Sequence, residues 1–183
     1  MPQLNFDKIN FAINNLLSQK KERDAFKIIV NTYHQKIYWH VRRIVVHHDD
    51  ANDVTQNTYL KIWKALPKFK GNSNIYTWIY RIATNEAITF LSKKKPSISF
   101  EDINFSEPIS NFQTDLLNGN DIQLKLEKAI LQLPPKQRIV FNLRYFEELK
   151  YKDIAKITDT SIGALKASYH LAVKKIENYL TTS

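Results

Sequence analysis

Apolar side chains recur at helical spacing in two separate blocks of the chain. Over residues 22–46 they return every three or four positions, which places them on one face of a long helix. The same spacing predicts a second helix that starts after Asp49 and runs to Pro67, and a third helix over about 75–91. Asp50 is the predicted N-cap of the second helix, because its carboxylate can accept a hydrogen bond from the first helical turn.

The second block predicts four helices. One covers about 122–132, and the next follows Pro134–Pro135, since proline is well tolerated in a first helical turn. Two short helices follow at 151–157 and at 162 to about 180, the second of them basic and capped by Ser161. With the tight turn between them, they have the form of a helix-turn-helix whose second helix recognises DNA. The residues expected to lock this pair together are Ile154, Ala155, Ile157, Ile162 and Leu165.

Between the two blocks lies a segment without a helical period. It carries five acidic residues and no basic one, together with Pro96, Pro108 and Gly119. Helix breakers between periodic blocks are typical of a linker. The predicted fold is therefore all-α, with two small helical domains joined by a flexible acidic linker. The predicted divisions are an N-terminal extension at 1–21, a first domain at 22–95, the linker at 96–121 and a second domain at 122–183.

The chain has 183 residues, no cysteine, a formal net charge of +9 and a pI of about 9.6. The lack of cysteine excludes a disulfide-stapled secreted scaffold. No apolar run reaches the roughly 18 residues that a membrane span needs, and the N-terminus has no export signal, so we expect a cytoplasmic protein without membrane insertion. The basic excess indicates a polyanionic partner, either nucleic acid or an anionic membrane surface.

Residue patterns that support catalysis are missing from the sequence. It contains no Gly-rich phosphate loop, no CxxC pair, no GxSxG elbow and no set of residues suggestive of a catalytic triad. His47, His48, Asp49 and Asp50 are metal-type ligands, but four consecutive side chains at a helix start diverge and do not easily converge on one ion. We therefore expect no metal, no cofactor, no small-molecule substrate and no enzymatic activity.

Several side chains of the second short helix are predicted to face outward. Lys166 and Lys174 can contact phosphates or base acceptors, and Ser168 and His170 can donate to base edges. The alternative is a helical packing module with a solvated basic face. The complete outward set is Gly163, Ala164, Lys166, Ala167, Ser168, His170 and Lys174.

Aromatic and basic residues are mixed over residues 69–81. Such a mixture can stack unpaired bases beside a charged track, as single-strand binders do. Trp78 also fits the apolar stripe of its helix, which favours a place in the core or at its rim. The polar segment 72–74 suits capture of a flipped base, and its alternative role is a turn that caps the next helix.

Residues 49–63 (DDANDVTQNTYLKIW) resemble the pattern DAxDxxQxxFxxxW, and residues 69–85 (FKGNSNIYTWIYRIATN) resemble FRG…TWLYRIAxN. Both patterns belong to the extracytoplasmic-function (ECF) group of the sigma-70 family of bacterial RNA polymerase sigma factors. Residues 133–138 (LPPKQR), 143–146 (LRYF) and 151–155 (YKDIA) resemble the promoter-reading domain of that group. These motif regions stand in the order that the family has.

The resemblance implies a sigma-2 domain at 22–95 and a sigma-4 domain at 122–183. The residues implied to bind the core polymerase are Asp50, Asp53, Gln56, Leu60 and Trp63. The residues implied to melt and read the −10 element are Lys70, Asn72, Ser73, Asn74, Tyr76, Thr77, Trp78, Arg81 and Asn85. Arg144 and the outward set of the second short helix are implied to read the −35 element. The implied partners are core RNA polymerase, promoter DNA and an anti-sigma factor.

In this family the linker follows the RNA path of the polymerase, and its five acids would mimic the charge of RNA. This chain departs from the family pattern at Leu171 and Val173, where arginines are usual, and at Lys150, where a serine N-cap is usual. Two other functions compete with the sigma-factor interpretation. One is a stand-alone helix-turn-helix regulator, which leaves the motifs of the first block unexplained. The other is a nucleic-acid-processing enzyme, which lacks a catalytic constellation.

Overall fold

Helices make up both parts of the chain that the computed structural model describes, residues 6–93 and 121–182. Within these ranges there are eight α-helices, one short 3-10 segment at Leu66–Lys68 and no strand. This confirms the predicted all-α class. The helices are α1 (Phe6–Ser18), α2 (Glu22–Val45), α3 (His48–Ala65), α4 (Ile75–Lys93), α5 (Asp121–Leu131), α6 (Pro135–Tyr145), α7 (Tyr151–Thr158) and α8 (Ile162–Thr182). No helix in the described ranges is long and apolar enough to cross a membrane.

The first unit is built from α1 to α4 around the apolar face of α2. Ile29, Tyr33 and Ile37 of α2 are completely buried at the spacing that the sequence predicted. α1 packs on α2 and α4, and its Ile13 is also fully buried in this core. The N-terminal helix is therefore an integral part of the first unit's packing.

α3 begins two residues before its predicted N-cap. The N-cap is His47, whose backbone is extended, so Asp50 lies inside the first helical turn and the prediction that it caps the helix is wrong. The physical reason lies in Val46, whose positive φ of 75° ends α2 abruptly and lets the chain start a new helix at once. Asp49 and Asp50 still lie where carboxylates stabilise the positive end of the helix dipole.

α7 and α8 form the predicted helix-turn-helix. Asp159 ends α7 in the left-handed conformation, and the Ser161 side chain accepts a hydrogen bond from the Ala164 N–H at 3.3 Å, which caps α8 as expected. Ile154, Ile157 and Leu165 are buried between the helices. Ile162 is 44% exposed, so the prediction that it locks the pair is wrong. It is the first residue of α8, and Leu165, almost one turn later, supplies the buried contact.

The two units pack directly against each other, with α6 on α2 and α7 on α4. Apolar residues of α6 and α7 belong to the same core cluster as those of α2 and α4, whereas a second cluster fills the space between α5, α6 and α8. Arg138 of α6 is buried at this junction and donates to the carbonyls of Leu131 at 3.0 Å and Ile44 at 2.9 Å. Burial lowers the pKa of Arg138 to about 10.

The acidic linker predicted at 96–121 lies outside the described residues except for Asp121, which begins α5. Its proposed flexibility and its path therefore stay predictions from the sequence.

Candidate functional site

An apolar groove opens between α2 and α3. Leu60 is 57% exposed and Trp63 is 40% exposed, although both are large apolar side chains. The groove has a volume of about 740 Å³. Its lining residues are Arg23, Phe26, Val30, His34, Gln56, Tyr59, Leu60 and Trp63. A contiguous apolar surface of this kind on a folded protein marks a place where another macromolecule docks.

The five residues implied to bind the core polymerase lie along one face of α3. Their spacing of three and four positions brings them into a single stripe. Leu60 and Trp63 form the apolar end of this stripe, and Gln56 and Asp53 continue it as exposed polar side chains. Asp50, at the start of the helix, is half-buried. The stripe therefore joins an apolar groove to an acidic helix start.

Aromatic contacts fix the floor of the groove. The Phe26 ring meets Trp63 edge-on at 5.2 Å and Tyr59 edge-on at 6.2 Å, and His34 stacks on Tyr59 at 5.9 Å. Burial raises the pKa of Tyr59 well above its usual value. The contribution of α2 to this groove was not predicted. The helical stripe of α2 contains Phe26 and Val30, but periodicity does not show which neighbouring helix leaves them uncovered.

The turn before α4 is fixed by glycine and two asparagines. Gly71 has a φ of +70°, a conformation that glycine adopts without strain. The Asn74 side chain accepts from the Tyr76 N–H at 3.0 Å, and the Asn10 side chain of α1 accepts from the Ile75 N–H at 2.9 Å. Asn74 thus caps α4, which is one of the two roles that the sequence left open for this turn.

The nine residues implied to read the −10 element divide into an exposed group and a covered group. Lys70, Asn72, Arg81 and Asn85 are exposed, and Ser73, Asn74 and Trp78 are half-buried. Trp78 packs against Phe69 with ring centres 5.0 Å apart, which puts it at the rim of the core as expected. Tyr76 and Thr77 are buried.

The second unit covers this end of α4 with the turn between α6 and α7. One carboxylate oxygen of Glu147 accepts hydrogen bonds from the hydroxyls of Tyr76 at 3.1 Å and Tyr80 at 2.6 Å. The other oxygen lies 3.7 Å from an Arg43 guanidinium nitrogen, and the Phe146 ring covers that guanidinium at 3.9 Å.

This cluster changes the pKa of each of its titratable donors. Burial and then the negative charge of Glu147 raise the pKa values of Tyr76 and Tyr80 above the usual tyrosine value. Burial lowers the pKa of Arg43, and the Glu147 carboxylate opposes that change. Arg43, Tyr80 and Glu147 were not among the predicted site residues. Because Glu147 lies 67 residues from Tyr80 in the chain, no local pattern connects them.

The outward face of α8 is accessible along its first three turns. Leu165 is completely buried, and it fixes the helix so that its neighbours point away from the core. Arg144 has a different position from the rest of the predicted −35 set, since it donates to the Leu149 carbonyl at 3.0 Å and lies over the Tyr151 ring at 5.3 Å. The exposed members of the predicted set are Gly163, Ala164, Lys166, Ala167, His170 and Lys174, and Ser168 is half-buried.

Two family models match the chain. The model described as Sigma-70 region 2 matches residues 29–96, and the model described as Sigma-70, region 4 matches residues 123–176. The chain is similar to the structure of CnrH in complex with the cytosolic domain of CnrY, with a TM-score of 0.69 and 17% identity over 96% of this chain and 99% of that one. It is also similar to the sigma factor RpoE in complex with the anti-sigma factor NepR from Bartonella quintana, with a TM-score of 0.71 and 24% identity over 85% and 96% of the two chains. At these identities the likeness shows the fold.

Curated relatives cover most of the chain. It is 32% identical to the RNA polymerase sigma-H factor of Pseudomonas aeruginosa over 88% of this chain and 89% of that protein. It is 32% identical to the ECF RNA polymerase sigma-E factor of Escherichia coli over 87% of this chain and 88% of that protein. It is 31% identical to the ECF RNA polymerase sigma factor SigW of Bacillus subtilis over 83% and 87%. The chain therefore belongs to the ECF group of the sigma-70 family of RNA polymerase sigma factors.

Proposed function

We propose that three surfaces of this protein carry out separate steps of transcription initiation. The protein is an RNA polymerase sigma factor, which binds core polymerase and directs transcription from promoters without being an enzyme. The α2–α3 groove binds the core polymerase, α4 and the turn before it melt and read the −10 element, and α8 reads the −35 element. The observation that carries this assignment is the pair Leu60 and Trp63, two large apolar side chains exposed on the same face of α3 as Gln56 and Asp53.

The groove suits a helical partner on the polymerase. In this family the partner is the clamp coiled coil of the largest subunit. Trp63 is held by Phe26 and is still accessible, which is the state of an aromatic hot spot before binding. Asp53 and Gln56 extend the contact with polar groups at its rim.

For the −10 element, the exposed and half-buried side chains before and along α4 supply the contacts. Under the proposal, Asn72, which is exposed in the turn, holds an extruded base, while Asn74 keeps the turn in shape by capping α4. Arg81 and Asn85 continue the contact surface along the helix, with Lys70 beside the backbone of the DNA.

For the −35 element, α8 enters the major groove with its N-terminal half. Lys166 and Lys174 contact phosphates or base acceptors, and Ser168 and His170 contact base edges. Arg144 donates to the Leu149 carbonyl and so stabilises the turn before α7. It contributes to −35 recognition by keeping that turn in place. The acidic residues of the linker follow the RNA path of the polymerase.

An anti-sigma factor is a further partner of this chain under the proposal. Support comes from the two similar structures, which are complexes with the cytosolic domain of CnrY and with the anti-sigma factor NepR. The proposed location is the cytoplasm, where the polymerase acts.

Promoter-directed transcription with sigma-free core polymerase tests the proposal. Genomic fragments from the source organism serve as templates, and a Trp63→Ala variant is assayed beside the unchanged chain. We expect Trp63→Ala to weaken core binding by roughly 30-fold or more, because a buried aromatic hot spot carries about 2 kcal/mol or more. Phe11→Ala is the matched control, since Phe11 is an exposed aromatic on α1.

Transcripts that depend on the chain and weaken with Trp63→Ala support the proposal. Sequence-specific binding to duplex DNA together with no binding to core polymerase would contradict it and favour a stand-alone regulator. The base-holding role has a separate test. Asn72→Ala removes the proposed base contact without removing the Asn74 cap, so it should slow open-complex formation and leave core binding unchanged; unchanged opening would exclude this role.

A further inference from the structure

Three donors converge on one carboxylate at the junction of the two units. Arg43 of α2 supplies a guanidinium, and Tyr76 and Tyr80 of α4 supply two hydroxyls, all directed at Glu147. We propose that Arg43, Tyr76 and Tyr80 form a phosphate-binding subsite for promoter DNA, and that Glu147 occupies it in place of a backbone phosphate in this closed molecule. The inference rests on the proposed role of α4 in −10 recognition.

The chemistry of the cluster suits a phosphate oxygen. A carboxylate and a phosphodiester each carry one negative charge on oxygens that accept hydrogen bonds from arginine and hydroxyl donors. Tyr76 and Tyr80 are one helical turn apart, so their hydroxyls lie side by side. Tyr76 also adjoins the turn that carries the proposed base contact of Asn72. A phosphate bound here would therefore belong to the same DNA strand, close to that base.

Reading both promoter elements requires this junction to open. The −10 and −35 elements lie about 25 base pairs apart, which is roughly 85 Å of helix at 3.4 Å per base pair. In the closed molecule α7 packs on α4, and Glu147, in the turn that precedes the helix-turn-helix, bonds directly to Tyr76. The 27 residues from 94 to 120 give enough covalent reach, since an extended chain of that length spans up to about 90 Å.

When the two units separate, a DNA phosphate replaces the Glu147 carboxylate as the acceptor for the same three donors. When the second unit moves away, Arg43 loses the Phe146 ring and the Glu147 carboxylate that cover it. The three donors then face solvent as a group and can take a phosphate. While Glu147 is in place, its charge repels the DNA backbone from this part of α4.

The first test measures opening in the complete chain. The sequence contains no cysteine, so two introduced cysteines at exposed positions, Lys64→Cys on α3 and Lys175→Cys on α8, accept a fluorescent donor and acceptor without side reactions. We expect Glu147→Gln to shift the population toward low energy transfer by about tenfold, because it removes the charge from two hydrogen bonds and one ion pair. Glu148→Gln, a neighbouring exposed acid, is the control and should leave the transfer unchanged.

The second test separates a DNA site from a purely intramolecular contact. It uses core polymerase and a promoter fragment found with the unchanged chain. We expect Glu147→Gln to speed open-complex formation. Arg43→Gln and Tyr80→Phe should separate the two units of the free chain as much as Glu147→Gln does, but they should slow open-complex formation. Arg43→Gln should also reduce the slope of log affinity against log salt by about 0.7 to 0.9. Lys27→Gln, which removes an exposed charge from α2, is the control.

The outcomes identify which statement fails. If Arg43→Gln speeds opening on the promoter as Glu147→Gln does, the cluster is only an interdomain contact and the phosphate site is overturned. If Glu147→Gln leaves both the energy transfer and the opening rate unchanged, the occupation by Glu147 is overturned. A chain that directs no transcripts at all would instead contradict the proposed division of function, which the experiment with Trp63 tests first.

Discussion

The two helices proposed to read DNA, α4 and α8, differ in how much of their DNA-reading surface is exposed. α8 has an accessible N-terminal half because it packs on α5, α6 and α7 along one side only. α4 packs on α2, α3 and α7, and Tyr76 and Thr77 are buried as a result. The −35 surface therefore depends on packing inside the second unit, whereas the −10 surface depends on how the two units are arranged.

The largest predicted effect removes the packing that fixes the accessible helix. Leu165 is fully buried between α7 and α8, so Leu165→Ala should lower the free energy of unfolding by about 3 kcal/mol through lost burial and a residual cavity. The tilt of α8 then changes, and binding to a duplex that carries the −35 element should weaken. Urea unfolding followed by circular dichroism and a duplex-binding titration measure the two effects.

Leu171→Ala is the matched control on the same helix. Leu171 is 48% exposed, so its truncation should change stability by less than about 0.5 kcal/mol. Equal losses of stability in the two variants would show that burial of Leu165 does not fix the outward face of α8.

The second prediction concerns the anchor of the covered helix. His40 of α2 is fully buried, lies 2.8 Å from the Thr84 hydroxyl of α4, and packs against the Tyr80 ring at a tilt. Burial, and next the positive charge of Arg43, lower the pKa of His40 to about 3 from the ordinary 6.5. Below about pH 6.5, His40 therefore binds a proton in the unfolded chain but stays neutral in the folded chain. The free energy of unfolding falls as the pH drops through this range.

Acidification from pH 7 to pH 5 should cost about 2 kcal/mol of unfolding free energy from His40 alone. Urea unfolding at a series of pH values measures this slope. His40→Gln carries no titrating group and should flatten the slope over pH 5 to 6.5, even if its stability at pH 7 is lower. The same slope in both proteins would exclude His40 as its source.

The helices from α2 to α8 were predictable because each carries its own apolar period, whereas α1 lies in the segment 1–21 that was predicted only as an N-terminal extension. α2, α4, α6 and α7 begin within about one residue of their predicted starts, and the turn before α8 has the serine that its capping requires. The exposed stripe of α3 was predictable for the same reason, since family-like positions at helical spacing share one face. Asp50 failed as an N-cap because the strained backbone at Val46 decides where α2 ends.

The contact between the units was not predictable. Glu147 meets Tyr76 across 71 residues of sequence, and the acidic pair Glu147 and Glu148 in a turn predicts only solvated charges. The role of α1 was hidden for a similar reason, because Asn10 caps a helix that begins 65 residues later. Local patterns determine where helices form and which face is apolar, while the partner of each face is set by the long-range packing of the whole chain.

The smallest predicted effect compares one glycine from each reading surface. Gly71 precedes α4 and has a φ of +70°, and an added Cβ would also lie 3.4 Å from the Asn14 side chain. Gly71→Ala should therefore cost about 1 to 2 kcal/mol, because an L side chain is strained in the left-handed region. Thermal unfolding measures the stability, and open-complex formation should slow because the turn that carries Asn72 moves.

Gly163→Ala is expected to act in the opposite direction. Gly163 lies in the first turn of α8, and an added Cβ would meet nothing within 4 Å. Alanine lowers the backbone entropy of the unfolded chain and favours helix, so stability should rise by about 0.5 kcal/mol. The two stability changes have opposite signs because the two glycines have different surroundings. The turn before α4 is held in its conformation only by contacts with α1 and α4, whereas α8 begins as an ordinary capped helix. Two changes of the same sign would mean that the Gly71 turn relaxes freely and that α1 does not hold the −10 surface in place.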